Sequence, residues 1–266
     1  MDEWQRRFNG IERLYGSVSA THLQNMHLVV IGLGGVGSWA AEGLARSGVG
    51  KLTLIDLDEV CLSNVNRQSH ALTSTVGQAK GAVLASRLLD INPQLQVHVV
   101  DDFISAENVA SYLPSTANQR VTGVLDAIDS IAAKVALIAY CKRNKIPLVT
   151  TGGAGGQIDP SAITIADIAK VTQDPLMAKV RNQLRRDHGF SRNPKRKFGV
   201  DCVYSTEQLR YPQGDGSVSY AKHGEENRRL DCNTGFGASM LVTASFGLFA
   251  AAKLLQRVLP VTTPSS

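Results

Sequence analysis

The chain has 266 residues, 43% of them hydrophobic, and a formal net charge of +5. This length suffices for one large α/β domain with a sizeable core, and the composition excludes a disordered or fibrous protein. The four cysteines lie far apart without a Cys-X-X-Cys pair, which argues against a zinc ribbon or a disulfide scaffold and favours a cytoplasmic protein. The polar first residues lack the apolar run of a signal peptide, so export is not expected.

Strands and helices alternate along the first 156 residues. Short apolar runs predict buried parallel strands at 27–31, 51–55, 96–100, 121–125 and 146–150. Helical spacing predicts helices between them, at 38–47, from about 79 to 91, at 106–113 and at 131–144. This alternation predicts a Rossmann-like α/β fold, in which a mostly parallel sheet carries helices on both faces.

The pattern weakens after residue 160. Residues 163–168 alternate in polarity and predict an antiparallel strand, so the C-terminal part is expected to form an antiparallel extension. Asp174 and Pro175 have the residue types of a helix N-cap and first position, which predicts a helix at 174–188. Glycine, proline and basic residues predict a loop at 189–199.

Residues 233–252 carry no charge and are numerous enough to span a bilayer. Glycines, serines and threonines dilute the run, and Lys253 follows it directly. We therefore predict a buried core or subunit-interface helix and no stable membrane insertion, with membrane contact as the alternative.

A glycine turn follows the first predicted strand and includes Gly32, Gly34, Gly35 and Gly37. Such a turn lets the backbone approach phosphate, whose charge meets the amides and dipole of the next helix. Asp56 ends the next strand, where a carboxylate can accept ribose hydroxyls. The turn predicts nucleotide binding, with two alternatives: a turn that only packs helix on strand, and a nicotinamide-dependent dehydrogenase.

Charged and amide side chains follow the second and fourth predicted strands, and Lys80 lies at the start of the helix between the second and third. A nucleoside triphosphate that loses pyrophosphate needs arginine, lysine and a magnesium-holding carboxylate, whereas a dinucleotide needs little charge. Asp58 is interpreted either as a turn residue or as a metal neighbour, and Asp126 either as a site residue or as a helix cap. The set predicts binding of ATP and Mg²⁺ and comprises Asp56, Asp58, Asn64, Arg67, Gln68, Lys80 and Asp129.

Five elements occur in order along residues 7–156: GxGGxG, DxDxV, SNxNRQ, GxxK and DxxDS. Together they resemble the adenylation domain of the ubiquitin-activating-enzyme superfamily, whose bacterial members include ThiF and MoeB. The resemblance implies that the whole chain, 1–266, is a single adenylation domain with a nucleotide-binding half at about 7–156 and a substrate-facing half at about 157–266. It also implies catalytic or binding roles for Asp56 on ribose, Asn64 and Arg67 on phosphates, Lys80 on the triphosphate, and Asp129 on magnesium.

The superfamily also uses an N-terminal arginine that reaches the ATP of a partner subunit. Arg13 is the nearest candidate, and Arg6 and Arg7 are alternatives. The resemblance therefore implies a homodimer, in agreement with an apolar final helix.

Three further segments, at 150–160, 173–176 and 199–207, resemble a branch of the superfamily that modifies tRNA, and this resemblance runs from about residue 4 to 255. It implies that ATP adenylates the threonyl carboxylate of threonylcarbamoyladenosine beside the anticodon. The ureido group of the same side chain then closes a five-membered ring and expels AMP. The alternative is adenylation of the C-terminus of a sulfur-carrier protein, although this chain lacks the two Cys-X-X-Cys pairs usual in those enzymes.

A basic segment near the end of the predicted 174–188 helix favours a polyanionic partner. Its neighbouring cations share a helix face or crowd the following loop, and Asp187 is the acid among them. The alternative is a solvated surface. The predicted tRNA-binding residues are Arg181, Arg185, Arg186, Arg192, Lys195, Arg196 and Lys197.

Cys232 precedes the apolar final helix, close to where relatives carry a cysteine that accepts an acyl or sulfur group. The resemblance therefore allows a thioester step and sulfur-transfer partner proteins, but ring closure requires neither. A buried or incidental thiol is the alternative.

Overall fold

The structure, a computed structural model, describes residues 3–114, 121–221 and 236–260. A seven-stranded sheet forms its middle layer. In chain order its strands are β1 (His27–Ile31), β2 (Lys51–Ile55), β3 (Gln96–Val100), β4 (Gly123–Asp126), β5 (Leu148–Thr151), β6 (Ile163–Asp167) and β7 (Asp201–Ser205).

The strand order across the sheet is β3-β2-β1-β4-β5-β7-β6. All neighbours pair in parallel except β6 and β7, which are antiparallel. The order reverses direction at β1, so β1 and β4 flank the position where doubly wound sheets bind ligands. The predicted parallel sheet and its antiparallel extension are both confirmed. A separate two-stranded sheet joins β8 (Tyr211–Pro212) and β9 (Val218–Ser219).

The helices form the two outer layers. In chain order they are α1 (Glu3–Tyr15), α2 (Ser17–Asn25), α3 (Gly37–Arg46), α4 (Lys80–Ile91), α5 (Val109–Tyr112), α6 (Ile131–Arg143), α7 (Pro175–Asp187) and α8 (Met240–Val258). One apolar cluster joins α3, α4 and α8 to one sheet face, and a second joins α5, α6 and α7 to the other. Helices therefore cover both faces, as predicted.

Five elements were absent from the sequence-based prediction: α1, α2, β7, β8 and β9. At the start of α1, the Trp4 indole N–H donates to the carbonyl oxygen of Gly48 at 3.2 Å, and Trp4 stacks on Phe8. β7 is a short run whose last four residues are buried because β5 and β6 flank it. Both features arise from contacts between distant parts of the chain, which local periodicity does not report.

The predicted helix at 106–113 was too long, since only Val109–Tyr112 is helical. The Asn108 side chain bonds the preceding backbone: its amide group donates to Phe103 O at 2.7 Å, and its oxygen accepts the N–H of Ser105 at 2.8 Å. Such side-chain bonds compete with helical ones and delay the helix start. By contrast, Asp174 caps α7 by accepting the N–H of Met177 at 2.8 Å, and Pro175 takes the first position, as predicted.

Helix α8 has the length and composition of a membrane-spanning helix, with a mean hydropathy of 1.3 over an 18-residue stretch. Half of that stretch is buried against the rest of the protein. Val242, Phe246, Ala250 and Leu254 are fully enclosed and join the core cluster that contains α3. The prediction of a core helix is confirmed for this side of α8.

Candidate nucleotide-binding site

The glycine turn connects the carboxyl end of β1 to α3. Gly32 has φ = +83°, and a Cβ there would lie 2.8 Å from the carbonyl oxygen of Ala127. A Cβ on Gly37 would overlap the carbonyl oxygen of Gly32. Gly34 and Gly35 lie between them, with their backbone at the edge where β1 and β4 end. The chain therefore needs glycine here for the turn itself, and the turn leaves the N-terminus of α3 facing this edge.

Asp56 follows β2 and is bonded to the glycine turn. One carboxylate oxygen accepts the N–H of Leu33 at 2.5 Å, and the other accepts the N–H of Asp58 at 2.9 Å. Burial raises the pKa of Asp56, although these two backbone donors and the nearby Lys80 ammonium act in the opposite direction. The carboxylate is thus fixed beside the turn, as its predicted ribose-binding role requires.

Lys80 begins α4 and forms an ion pair with Asp58. The Nζ–Oδ2 distance is 2.7 Å, and the lysine side chain is 7% exposed whereas that of Asp58 is 71% exposed. The Lys80 N–H also donates to the carbonyl oxygen of Asp58 at 3.0 Å. Asp58 therefore holds Lys80 in place, and its interpretation as a turn residue or as a metal neighbour stays a prediction.

Arg67, Asn64 and Gln68 lie on the segment after β2. Asn64 is buried and accepts the N–H of Cys61 at 3.1 Å, while the half-buried Arg67 donates to the carbonyl oxygen of Ser63 at 2.8 Å. The Gln68 Oε1 atom is buried without a hydrogen-bond partner among the described residues. A buried acceptor of this kind is available to a donor group of a ligand bound in the pocket.

Thr243 in α8 is a site residue that the sequence-based prediction did not include. Its Oγ1 atom would lie 3.1 Å from a Cβ on Gly35, and the Cγ atom of Arg67 would lie 3.2 Å from the same point. This Oγ1 atom is also buried without a partner among the described residues. Helix α8, from the C-terminal part of the chain, therefore packs beside the glycine turn and forms one side of this site.

Asp126 ends β4 and is fully buried with Lys134 of α6. The lysine Nζ lies 2.9 Å from the carboxylate and 2.9 Å from the Thr150 hydroxyl, which donates to the same carboxylate at 2.6 Å. The other Asp126 oxygen accepts the N–H of Ile128 at 3.1 Å. The cap interpretation of Asp126 is wrong, because Ser130 occupies the N-cap position of α6 and Asp126 is used in this internal ion pair.

Asp129 lies three residues beyond Asp126, on the loop that Asp126 anchors, and is exposed. Within the described ranges, no group of three histidine, cysteine, aspartate or glutamate residues is arranged to hold a metal. A single exposed carboxylate fits Mg²⁺, which usually binds one or two carboxylates together with substrate phosphates and water.

Arg13, Arg6 and Arg7 are exposed on α1. Arg7 pairs with Glu3 at 3.0 Å. Arg13 lines a surface depression of about 590 Å³ that is shared by α1 and the start of α2. Which of the three arginines reaches an ATP stays a prediction.

The predicted tRNA-binding residues fall into two groups. Arg181 donates to the carbonyl oxygen of Val171 at 2.7 Å, and Arg185 donates to that of Ser191 at 3.2 Å and lies 5.6 Å above the Phe198 ring. The Arg185 guanidinium therefore holds the loop after α7, whereas that of Arg181 ties α7 to the segment before the helix. The remaining cations are exposed, with Arg186 in a surface pair with Asp187: Arg186, Arg192, Lys195, Arg196 and Lys197.

Cys232 lies outside the described residues. Two other thiols are poor candidates for a sulfur or acyl acceptor, because burial raises the pKa of Cys141 to about 12 and that of Cys202 well above its ordinary value. A thiol of such high pKa is not a thiolate at neutral pH and does not act as a nucleophile.

Comparison with known proteins agrees with this geometry. The profile of the ThiF family matches residues 8–265, so the chain belongs to the ThiF family. It is similar to the tRNA threonylcarbamoyladenosine dehydratase of Escherichia coli (strain K12), with 54% identity over 259 residues that cover 97% of this chain and 95% of that protein. The resemblance of the five sequence elements to this superfamily is confirmed.

Solved structures lead to the same group. The E. coli tRNA N6-threonylcarbamoyladenosine dehydratase in complex with ATP is 50% identical and superposes with a TM-score of 0.85, covering 97% of this chain and 96% of that one. The molybdopterin-synthase adenylyltransferase of E. coli (strain K12) is 37% identical over 128 residues, which are 48% of this chain and 49% of that protein. Similarity to the first enzyme thus spans both halves of the chain.

Proposed function

We propose that this chain is an ATP-dependent enzyme that dehydrates threonylcarbamoyladenosine beside the anticodon of tRNA to a cyclic form. The observation that carries this proposal is the 54% identity to the E. coli dehydratase along 97% of the chain. Similarity to the molybdopterin-synthase adenylyltransferase covers only about half of the chain, so the substrate-facing half favours tRNA over a sulfur-carrier protein.

ATP binds at the carboxyl edge of β1, β2 and β4. The backbone amides of the glycine turn and the N-terminus of α3 face the phosphates, and Asp56 accepts the ribose hydroxyls. The partnerless Gln68 and Thr243 oxygens supply further polar contacts at the turn. The complexes of the E. coli enzyme with ATP and with AMP support this assignment.

Lys80 exchanges partners when the triphosphate enters. Its ammonium is held by Asp58 at 2.7 Å, and because the Asp58 carboxylate is 71% exposed, releasing it into water costs little. The ammonium then contacts the phosphates together with Arg67. The largely buried lysine side chain keeps this charge at the pocket, and Asp58 keeps it oriented while the pocket is empty.

Asp129 is the residue that would hold Mg²⁺. The bound ion would neutralise phosphate charge as pyrophosphate leaves. The chain's own contribution is to fix the loop: Asp126 binds the Ile128 N–H and so places Asp129 beyond the end of β4.

The reaction has two steps that balance overall as loss of one water. A threonyl carboxylate oxygen attacks the α-phosphorus of ATP, and pyrophosphate leaves. The ureido nitrogen of the same side chain then attacks the acyl carbon, a C–N bond forms, AMP leaves with the carboxylate oxygen, and the proton of the attacking nitrogen passes to water. Because this nucleophile is intramolecular, proximity supplies much of the rate without a strong general base.

The exposed cations in the last turn of α7 and in the basic loop after it contact the tRNA backbone: Arg186, Arg192, Lys195, Arg196 and Lys197. Arg185 contributes indirectly, because its bond to Ser191 O holds this loop in place, and Arg181 fixes the start of α7 through its bond to Val171 O. Cys232 remains a candidate acceptor for an acyl or sulfur group, and sulfur-transfer proteins remain candidate partners.

The proposal includes a cytoplasmic homodimer in which the whole chain is one adenylation domain. Pairing of β5 with β7 joins the two halves in one sheet, which supports a single domain. Exposed apolar side chains on and before α8 support burial against a second copy: Phe236, Met240, Leu241, Leu248 and Phe249. Arg13 then reaches the ATP of the partner subunit.

A nucleoside analysis tests the proposal. The chain is incubated with ATP and tRNA that carries threonylcarbamoyladenosine, and we expect loss of one water from that nucleoside, with one AMP formed per turnover. Lys80→Ala and Asp129→Ala should lower kcat/KM by about a hundredfold or more, because each removes charge stabilisation of the leaving pyrophosphate.

Lys51→Ala is the matched control, since Lys51 lies at the opposite end of β2 from Asp56 and should leave turnover unchanged. Unaltered rates in Lys80→Ala and Asp129→Ala would contradict the proposed site. ATP–pyrophosphate exchange that a sulfur-carrier protein stimulates and tRNA does not would establish the alternative function.

A further inference from the structure

The sheet edge opposite the nucleotide pocket carries a concentration of positive charge. Helix α6 ends at this edge, and the turn that leads to β5 presents the exposed side chains of Lys142, Arg143 and Lys145. The loop 192–197 leads into β7 at the same edge. It therefore lies near this turn, although it comes about fifty residues later in the chain. Two basic stretches of different origin therefore meet here.

The first stretch contacts the chain segment that directly follows the second. Gly199 has φ = +74°, and a Cβ there would collide with the ammonium group of Lys142. A cleft of about 290 Å³ runs between them and is lined by Lys142, Lys145, Gly199, Val200 and Arg257. Lys142 lies against the backbone that follows the basic loop. The basic turn after α6 and the basic loop therefore form one continuous surface.

Two acids near this surface are already engaged with other groups. Asp201 pairs with Arg257 at 2.9 Å and also with Lys253 at 3.7 Å, so one carboxylate serves two cations. The carboxylate of Asp167 faces inward and accepts the backbone N–H groups of residues 198, 199 and 200. These two carboxylates are therefore occupied, and the exposed Lys142 and Arg143 side chains add to the charge of the basic loop.

The surface also lacks the apolar residues that a protein partner would need. Among the described residues, the exposed large hydrophobic side chains lie elsewhere, and none belongs to 142–147, 192–201 or 253–257. Protein interfaces have an apolar, aromatic-rich centre, whereas binding to a polynucleotide backbone rests on cations alone.

We propose that Lys142, Arg143 and Lys145, together with the basic loop, form a phosphate-binding surface for the tRNA stem on the sheet edge opposite the nucleotide pocket. This inference rests on the proposed function. The strands between the two edges have four or five residues, or about 17 Å, which a stem of roughly five to six base pairs spans. The modified nucleoside can then occupy the pocket while the tRNA stem contacts the basic surface at the opposite edge of the sheet.

A charge-reversal variant tests the surface: Lys142→Glu, Arg143→Glu and Lys145→Glu combined. We expect tRNA affinity to fall at least about tenfold near 0.1 M salt, and the slope of log K against log salt to shrink by about 2. ATP affinity and the thermal midpoint should stay at the parent values, because all three side chains are exposed and distant from the pocket.

The matched control keeps the charge: Lys142→Arg, Arg143→Lys and Lys145→Arg combined, which should bind tRNA as the parent does. An RNA arm uses an anticodon loop with a stem of only two base pairs, which should bind the parent and the charge-reversal variant equally, because it cannot reach the surface. Equal loss of affinity for this short RNA would overturn the inference.

Unchanged affinity and salt slope for full-length tRNA in the charge-reversal variant would also overturn it. This failure differs from failure of the proposed function, in which the parent chain itself would not dehydrate the tRNA nucleoside. If the charge-reversal variant binds tRNA and turns it over as the parent does, the inferred surface is contradicted and the proposed function is not.

Discussion

Lys134 has no exposed surface and one carboxylate partner, Asp126. Burying two charges is costly, and their attraction repays this cost only when hydrogen bonds satisfy both groups. The Thr150 hydroxyl provides such bonds to each of them. The ion pair thus joins α6, β4 and β5 directly below the loop that bears Asp129.

Replacing Lys134 with methionine should lower the free energy of unfolding by about 3–5 kcal/mol, because the Asp126 carboxylate then remains buried without its partner. Urea unfolding of the parent and the variant measures this difference. The double variant Lys134→Met, Asp126→Leu should recover part of the loss, since it removes the orphaned charge. Equal stability of the parent and Lys134→Met would show that the pair contributes nothing.

The contact between α3 and α8 depends on a missing side chain. A Cβ on Gly247 would collide with the carbonyl oxygen of Val36 and lie 3.0 Å from the backbone nitrogen of Ala40. Val36 belongs to the glycine turn, so the packing of α8 and the geometry of the nucleotide site are linked. Thr243, one turn earlier in α8, faces the same turn.

Gly247→Ala should therefore lower stability by about 1–3 kcal/mol and weaken ATP binding, because overpacking displaces α8 and the turn beside it. Unfolding measurements and ATP titration check the two effects. Gly10→Ala is the control: a Cβ at Gly10 meets nothing within 4 Å, and alanine favours its helix by about 1 kcal/mol, so stability should rise slightly. A stabilised Gly247→Ala protein would refute the packing argument.

One buried and one half-buried histidine make the stability of the whole protein depend on pH. His70 is 1% exposed, and its ring nitrogens have no hydrogen-bond partner among the described residues. Burial, with smaller effects of Lys80 and Arg87, lowers the pKa of His70 to about 4. Burial also lowers the pKa of His27 to about 4, with Lys51 and His98 contributing.

The sign follows from the lowered pKa values. The unfolded chain binds a proton near pH 6.5 and the folded chain does not, so the stability is complete above pH 6.5 and is lost as the pH falls toward 4. His70 should account for a loss of about 2 kcal/mol between pH 7.5 and pH 5.

Urea unfolding of the parent and of His70→Leu at both pH values measures this contribution. Burial raises the pKa of Asp56 and Asp174, and these groups act in the opposite sense, so the difference between parent and variant isolates His70. An identical pH dependence in both proteins would contradict the role of His70.

Features that depend on neighbouring residues were predictable from the sequence. The periodicity of residues 27–55 predicts β1, α3 and β2, and Asp174 with Pro175 predicts the start of α7, because caps and amphipathic faces are local properties. The glycine turn and Asp56 also follow from short spacing. The family was also predictable from the sequence, because the five motifs in this order are specific for it.

Other features required the folded chain. Lys134 is a lysine inside an apolar helix, a weak signal whose meaning appears only when β4 and β5 bring Asp126 and Thr150 to it. Thr243 meets the glycine turn, and Lys142 meets Gly199, across long separations in sequence. These contacts are set by the packing of helices on the sheet and by parallel strand order, which bring together residues that no local pattern relates.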